Sequence, residues 1–532
     1  MDKTNKQRRI KRLPLILLFI FLVVMYFIRK NDESKIPVDH YGTEQLFNED
    51  LAPFYHGVAS GDPTLNKVII WTKVTPEYHK VVNVQWELDT SIEFSDNPKT
   101  GSITTDSSSN YTVKVDVSGL DPNTTYYYRF KALGGMSPTG RTRTAPGGDL
   151  AVRLAVISCT NHEEGYFNVL GHLADRDDIT AVVHLGDYIY EYGPGTYGDT
   201  TLKNRQHLPP HEIISLSDYR TRYAQYRLDP DFQRIHQMHP FISIWDDHEI
   251  SNNAYVDGAQ NHQYEEGDYV KRKSIAKQAY YEWLPVRGDT SGDLYRKIYL
   301  SSQAELFMLD ERLAARSKQV KDSSDMKWNS ADQQMLGKDQ FNWLIGQLSG
   351  SQSRWKIIGN QVIFSPLSLR SLGESRSLNM DAWDGYPAER NRLIDFLHLG
   401  ELENVVFITG DTHCSWAFEV PYDLNSYSNE GEGDVVALEF GTPSITSKNL
   451  DAYISTDSVQ VVEKAYLDDP DNPHLKYVNM RDHGYLELFV DSLQAVASWY
   501  YTTDIKTREA GIFSPASFSV QQGTNNISRQ DH

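Results

Sequence analysis

The sequence predicts an all-β unit followed by a larger α/β domain, and three observations lead there. The chain has 532 residues, more than one core usually supports. Between Tyr55 and Pro146 short alternating strand patterns follow one another across turn residues. After "APGGD" the pattern changes to continuous apolar runs separated by helix-like segments, as in sheets buried on both faces.

Taken in order, the chain begins with Lys3, Lys6, Arg8, Arg9, Lys11 and Arg12 ahead of an apolar run of about 16 residues, Leu13 to Ile28. The positive flank predicts a cytoplasmic N-terminus and an exported body. No small-residue cleavage site follows, since Arg29, Lys30, Asn31, Asp32 and Glu33 come next. Residues 1–30 therefore read as a signal anchor in preference to a cleaved signal peptide, and 31–51 as a linker. In 52–146, "NKVIIWTKV", "NVQWELD", "YTVKVDVSGL" and "TTYYYRFKA" are the expected strands of a β-sandwich. "GLDPNTTYYYRF" resembles the corner of fibronectin III-like domains, with Tyr126 tying down the turn that follows Leu120.

The α/β domain is expected over 150–505. Its runs are "VRLAVISC", "ITAVVHLGD", "HPFISIWDD", "ELFMLDE", "RWKIIGNQV" and "NVVFITGD". Five end in Cys159, Asp187, Asp246–Asp247, Asp310 and Asp411, and the "RWKIIGN" run ends at Asn360. Ligands of such sheets collect beyond the C-terminal strand ends, so this regularity points to a site. Helices are expected in "GYFNVLGHLADRDD", "LSDYRTRYAQYRLDPDFQRIHQ" and "GKDQFNWLIGQLSGS". "DVVALEFGTPSITS" and "HGYLELFVD" read as further strands, and 506–532 as a frayed polar tail.

The formal net charge of −20 argues against a nucleic-acid-binding patch. An anionic substrate would need local positive charge, which a bound metal supplies most simply. The two cysteines, Cys159 and Cys414, read either as one disulfide or as including a metal ligand.

Four stretches carry the candidate chemistry. In "HLGDYIYE", Asp187 follows a strand and a glycine, with Tyr190 three residues on. In "VVFITGDTHCSW", Asp411 and His413 can reach one side of an extended loop, and carboxylate plus imidazole suits a transition metal. In "LAVISCTNHEEGYF", Cys159 ends a strand; it is an inert buried thiol or a thiolate beside a metal. "FISIWDDHEISNN" offers Asp246, Asp247, His248 and Glu249 in succession.

The order of these motifs resembles the calcineurin-like metallophosphatases, and "ISCTN", "HLGDYIYE", "WDDHEISNN" and "GDTH" resemble the PhoD-type alkaline phosphatases more closely. "HGVASGDPTLNKVIIWTKVTP" resembles the start of that family's N-terminal β-sandwich domain. The resemblance spans about residues 52–503 and implies a metallophosphatase-type β-sandwich flanked by helices behind a fibronectin III-like domain.

It also implies roles. Cys159, Asp187, Tyr190 and His413 match the family's iron(III) positions, and Asp187 its bridging carboxylate. Asp247 and Asp411 would help hold calcium, as an all-oxygen set suits a hard cation. Asn360, or Gln361 in a register one residue along, lies where the superfamily has a further ligand. His248 matches the histidine that contacts phosphate or assists the leaving group, with Asp246 and Glu249 supporting. Arg312 and Arg316 stand either near the site or on a solvated helix face. The implied activity is hydrolysis of small phosphate monoesters, with diesters also expected, by metal-activated water, hydroxide or oxide. Its rivals are a phospholipase-like diesterase on the same scaffold and a non-catalytic surface-binding protein. Residues 365–387 and 425–433 are expected as loops over the site.

Overall fold

The computed structural model describes residues 38, 40–368, 378–427 and 434–530. The expected anchor at 1–30 and parts of the two expected site loops lie outside the described residues. Among the described residues, no helix is long and apolar enough to cross a membrane.

All six apolar runs form strands, divided between two sheets. Val152–Ile157, Ala181–His184 and Pro240–Ser243 lie parallel in a ten-stranded sheet. Ala304–Met308, Trp355–Gly359 and Val405–Thr409 lie parallel in a seven-stranded sheet. Side chains alternate across a strand, which explains why these runs are apolar throughout. Leu306, Met308, Ile357, Val406 and Ile408 face inward and pack with Leu154, Val156, Val182 and Ile242 of the larger sheet. Their neighbours Phe307, Ile358, Val405 and Phe407 face the other way into a second core. Phe341, Leu344 and Leu348 of helix Gly337–Gly350 and Leu393 and Leu397 of helix Pro387–Leu399 close that core. The protein is thus a mixed α/β fold of two large packed sheets with helices outside.

The N-terminal strands are joined to this framework by hydrogen bonding. Val58–Gly61 pairs in parallel with Pro240–Ser243, and Lys67–Lys73 and Thr112–Ser118 extend the same sheet outward. A Cβ on Gly61 would meet the Pro285 carbonyl oxygen at 2.3 Å and that of Phe241 at 2.7 Å, so this junction requires glycine. A five-stranded sheet including Val82–Asp89 and Thr125–Ala132 packs over it through Val84, Tyr128 and Phe130 against Val68, Ile70, Val113 and Val117. At its corner the Tyr126 hydroxyl accepts a hydrogen bond from Asp121 N at 2.9 Å, beside buried Leu120.

Much of the segment expected as a frayed tail forms strand instead. Ile512–Gln521 pairs with Gln494–Thr502 at the sheet edge. The polar composition concealed an alternation that buries Ala516, Phe518 and Val520 on one face.

Candidate active site

The predicted residues converge at the C-terminal ends of strands from both large sheets. Cys159, Asp187 and His413 place ligand atoms within 4.8 Å of one another, as do Asp187, Asp247 and His248, and Asp246, Asp247 and Asp411. Asp187 belongs to the first two groups and Asp247 to the last two, so the groups form one continuous array. Tyr190 joins it by donating its hydroxyl to Asp187 Oδ2 at 2.9 Å, with His413 Nε2 at 3.5 Å.

Local backbone geometry aims these side chains. Cys159, Asp187, Asp411 and His413 all have left-handed backbones, with φ of 59°, 57°, 63° and 64°. That conformation costs a residue with a Cβ about 1–2 kcal/mol, so the surroundings must impose it. Glu249 supplies one such restraint: its carboxylate accepts from the backbone N–H of Asp187 at 3.1 Å, Tyr188 at 2.6 Å and Asp246 at 2.8 Å. Gly186, at φ 107°, lets these loops approach, since a Cβ there would lie 2.3 Å from Asp246 N. On the other side Ser447 donates to the Cys159 carbonyl at 3.0 Å.

The imidazole of His413 is held in one tautomer. Its Nδ1 lies 2.8 Å from the Lys448 carbonyl oxygen, so Nδ1 carries the proton and Nε2 presents a lone pair to the array. Burial lowers its pKa to about 4, which keeps the ring neutral. His248 behaves oppositely. Burial lowers its pKa, but Asp247, Glu191 and Asp187 outweigh burial and hold it well above the usual histidine range. Its Nδ1 lies 2.6 Å from Glu191 Oε2, leaving Nε2 as the outward donor.

The carboxylates are crowded together. Burial, followed by neighbouring negative charge, pushes the Cys159 thiol and the Asp411 carboxyl well up. Burial also raises Asp187, where Asp247 and Asp246 add to it against the pull of His248. Burial acts on Asp247 too, but Arg312 and His248 prevail and hold it at about 2. Asp187 Oδ1 is buried and has no hydrogen-bond partner among the described residues. An unpaired carboxylate oxygen among other acids is costly, and a cation would compensate it. The donor set fits one: thiol, phenol, imidazole and carboxylate at one end suit a transition metal, and oxygen donors at the other suit a hard ion.

Arg312 and Arg316 are not on a helix face. Both lie in the loop after Ala304–Met308 and are fully buried. Arg312 bonds Asp246, Asp381 at 2.7 Å and Asp411 at 3.0 Å. Asp246 therefore has a double position, within the third group and in an ion pair with Arg312. Gln361 is committed at both ends of its amide, accepting from Glu311 N and donating to the Leu309 carbonyl. Asn360 accepts from Trp383 Nε1 at 3.2 Å and donates to the Val362 carbonyl, which leaves its oxygen a free lone pair. Asp310 caps its own loop through the N–H groups of Arg312 and Leu313 and takes no place in the three groups.

Cys159 and Cys414 are both free, so the disulfide alternative is not realised. Cys414 points into the second core beside Trp416 and Phe418. Glu191, Ser447, Tyr197 and Asp381 were not singled out from sequence. Glu191 closes "HLGDYIYE", and Asp381 falls in the expected loop 365–387, so both lay in marked segments. Ser447, whose hydroxyl lies 2.6 Å from that of Tyr190, and Tyr197, which stands 3.4 Å from His413 Nδ1, carried no local signal.

Packed sheets with an acid- and histidine-lined array at their strand ends match a class of phosphoric ester hydrolases. The PhoD-like phosphatase family profile matches residues 154–499, and the profile of its N-terminal domain matches residues 43–146. Alkaline phosphatase D of Bacillus subtilis is 35% identical over 490 residues, covering 88% of this chain and 81% of that protein. A solved structure of PhoD superposes with a TM-score of 0.81 at 32% identity, covering 91% of this chain and 93% of the other. The chain belongs to the PhoD-like phosphatase family. It is a phosphoric ester hydrolase, which removes the non-catalytic rival.

Proposed function

We propose that the protein is an exported, metal-dependent phosphoesterase that hydrolyses small phosphate monoesters and also accepts diesters. The observation that carries this reading is the shared position of Asp187, whose second oxygen is buried and unpartnered between two ligand groups. Cys159, Asp187, Tyr190 and His413 would hold iron(III), where thiolate and phenolate donors favour the ferric state. Asp187, Asp247 and Asp411, with the free lone pair of Asn360, would hold calcium. Bound metals would withdraw charge from phosphoryl oxygens and lower the pKa of water.

The chain's own groups would do the remaining work. His248, clamped by Glu191, is placed with Nε2 toward a phosphoryl oxygen or the departing oxygen, to which its imidazolium form donates a proton. Arg312 pairs with Asp246 and Asp411 and holds them in alignment. The N-terminal sandwich, with its tyrosine-tied corner, reads as a fibronectin III-like unit, and the basic-flanked run at Leu13–Ile28 as a membrane anchor facing the body outward.

Metal analysis of the purified protein, with hydrolysis of a chromogenic monoester and its diester before and after chelation, tests the reading. Iron and calcium are expected, with activity lost on chelation and regained on their return. Full activity in metal-free protein would refute it, and a strong preference for the diester would shift the assignment to a phosphodiesterase or phospholipase-like enzyme.

A further inference from the structure

A cavity of about 390 Å³ lies between the N-terminal sandwich and helix Leu216–Arg227 and shares no residue with the catalytic array. Lys73, His56, His79, Tyr111, Leu216 and Arg220 are among its lining. Its volume falls within the range of small-molecule sites, about 300–1,000 Å³.

Two buried polar groups there are unmatched. Lys73 ends the strand Lys67–Lys73 and is only 4% exposed. Its ammonium lies near aromatic faces, 5.8 Å from the Tyr111 ring and 5.9 Å from that of Trp283. Among the described residues no carboxylate forms an ion pair with it. His56 is 1% exposed, and neither of its ring nitrogens has a hydrogen-bond partner. Arg220 adds a second cation, but Glu282 holds it in two hydrogen bonds of 2.7 and 2.6 Å. Lys73 is therefore the cation of this cavity with no directly paired carboxylate among the described residues; Glu282 acts on it only from a distance.

An ammonium and an imidazole removed from water without partners are costly. Both residues line the cavity, together with Tyr111 and Leu216. Burial and the nearby Arg220 lower the Lys73 pKa to about 7, against an opposing pull from the Glu282 carboxylate.

We propose that this cavity is a second ligand site, which binds a small organic anion with its carboxylate or phosphoryl head on Lys73 and its ring or short hydrocarbon body against Tyr111 and Leu216. Arg220 stays engaged with Glu282 and adds long-range attraction.

Benzoate and phenylphosphonate, titrated into the metal-loaded full chain by calorimetry, test the site and distinguish the two heads. At least one is expected to bind saturably, with its head against Lys73 Nζ in a crystal of the complex. Lys73→Met should weaken that binding about tenfold or more, the worth of a charge-assisted hydrogen bond. Ser217→Phe, which fills the cavity and keeps the lysine, should weaken it as much; it carries the test alone if the first variant does not fold. Cys159→Ser, in the catalytic array, should leave this binding intact. Absence of saturable binding by both probes, or binding that Ser217→Phe leaves unchanged, would overturn the proposal.

Discussion

Glu191 and His248 form a buried pair in which the carboxylate oxygen lies 2.6 Å from Nδ1. Asn252 N and the Asn261 side chain also donate to Glu191, at 2.7 and 2.9 Å, so the carboxylate cannot swing away. The imidazole is thereby fixed in orientation and charge. Glu191→Gln should lower kcat by about 10–100-fold, the usual range for a group that orients a catalytic ligand, with a smaller change in KM. In a double-mutant cycle, Glu191→Gln should add little to the loss already caused by His248→Asn. Fully additive losses would give Glu191 a separate role.

The two cysteines are expected to differ in consequence. Cys159→Ser should keep the fold but retain less iron after dialysis against a mild chelator, because a hydroxyl is a poorer ligand than a thiolate. Cys414→Ala removes one small group from a packed core and should cost about 1 kcal/mol while leaving metal content unchanged. Elemental analysis of both variants checks this, and equal iron retention would remove Cys159 from the ligand set. Titration of thiols in the unreduced, unfolded protein should find both free.

Arg312 concentrates the electrostatics of the site. Its guanidinium meets Asp246, Asp381 and Asp411 with no exposure to solvent. Arg312→Met leaves Asp246 and Asp411 without their cation, while Asp381 keeps Arg316, and should destabilise the fold by about 3–5 kcal/mol. Asp381→Asn should cost less, since it leaves the other two pairings in place. Urea denaturation of both variants in one metal state gives the comparison, and an Arg312→Met variant as stable as the parent would contradict it.

Stability should decline in acid through buried histidines outside the site. Burial lowers His239 to about 3 and His474 to about 4 from an ordinary 6.5. The unfolded chain takes up protons near pH 6.5, whereas the folded chain does so only near those lower values. This stability is therefore fully present above about pH 6.5 and is lost as pH falls toward 3–4. His239→Gln should flatten the slope of unfolding free energy between pH 7 and 5, by about one proton at most. An unchanged slope would mean that His239 titrates normally.

The sequence by itself determined the strands and the motifs at their ends. A strand buried on both faces must be apolar along its whole length, so Leu154, Val182, Ile242, Ile357 and Val406 declared themselves. Cys159, Asp187, Asp247, Asp411 and His413 stood out because polar groups ended those runs, and their company carried the family resemblance. Tertiary structure decided what spacing does not encode. The 57 residues separating Glu191 from His248 close when Ala181–His184 and Pro240–Ser243 pair in one sheet, and the 66 separating Asp246 from Arg312 and the 257 separating Tyr190 from Ser447 close only when the two sheets pack. The fully buried state of Arg312 and the strand at Ile512–Gln521 have the same origin. A polar side chain looks solvated in sequence because its partners lie far along the chain, and only folding supplies the charges and hydrogen bonds that make its burial possible.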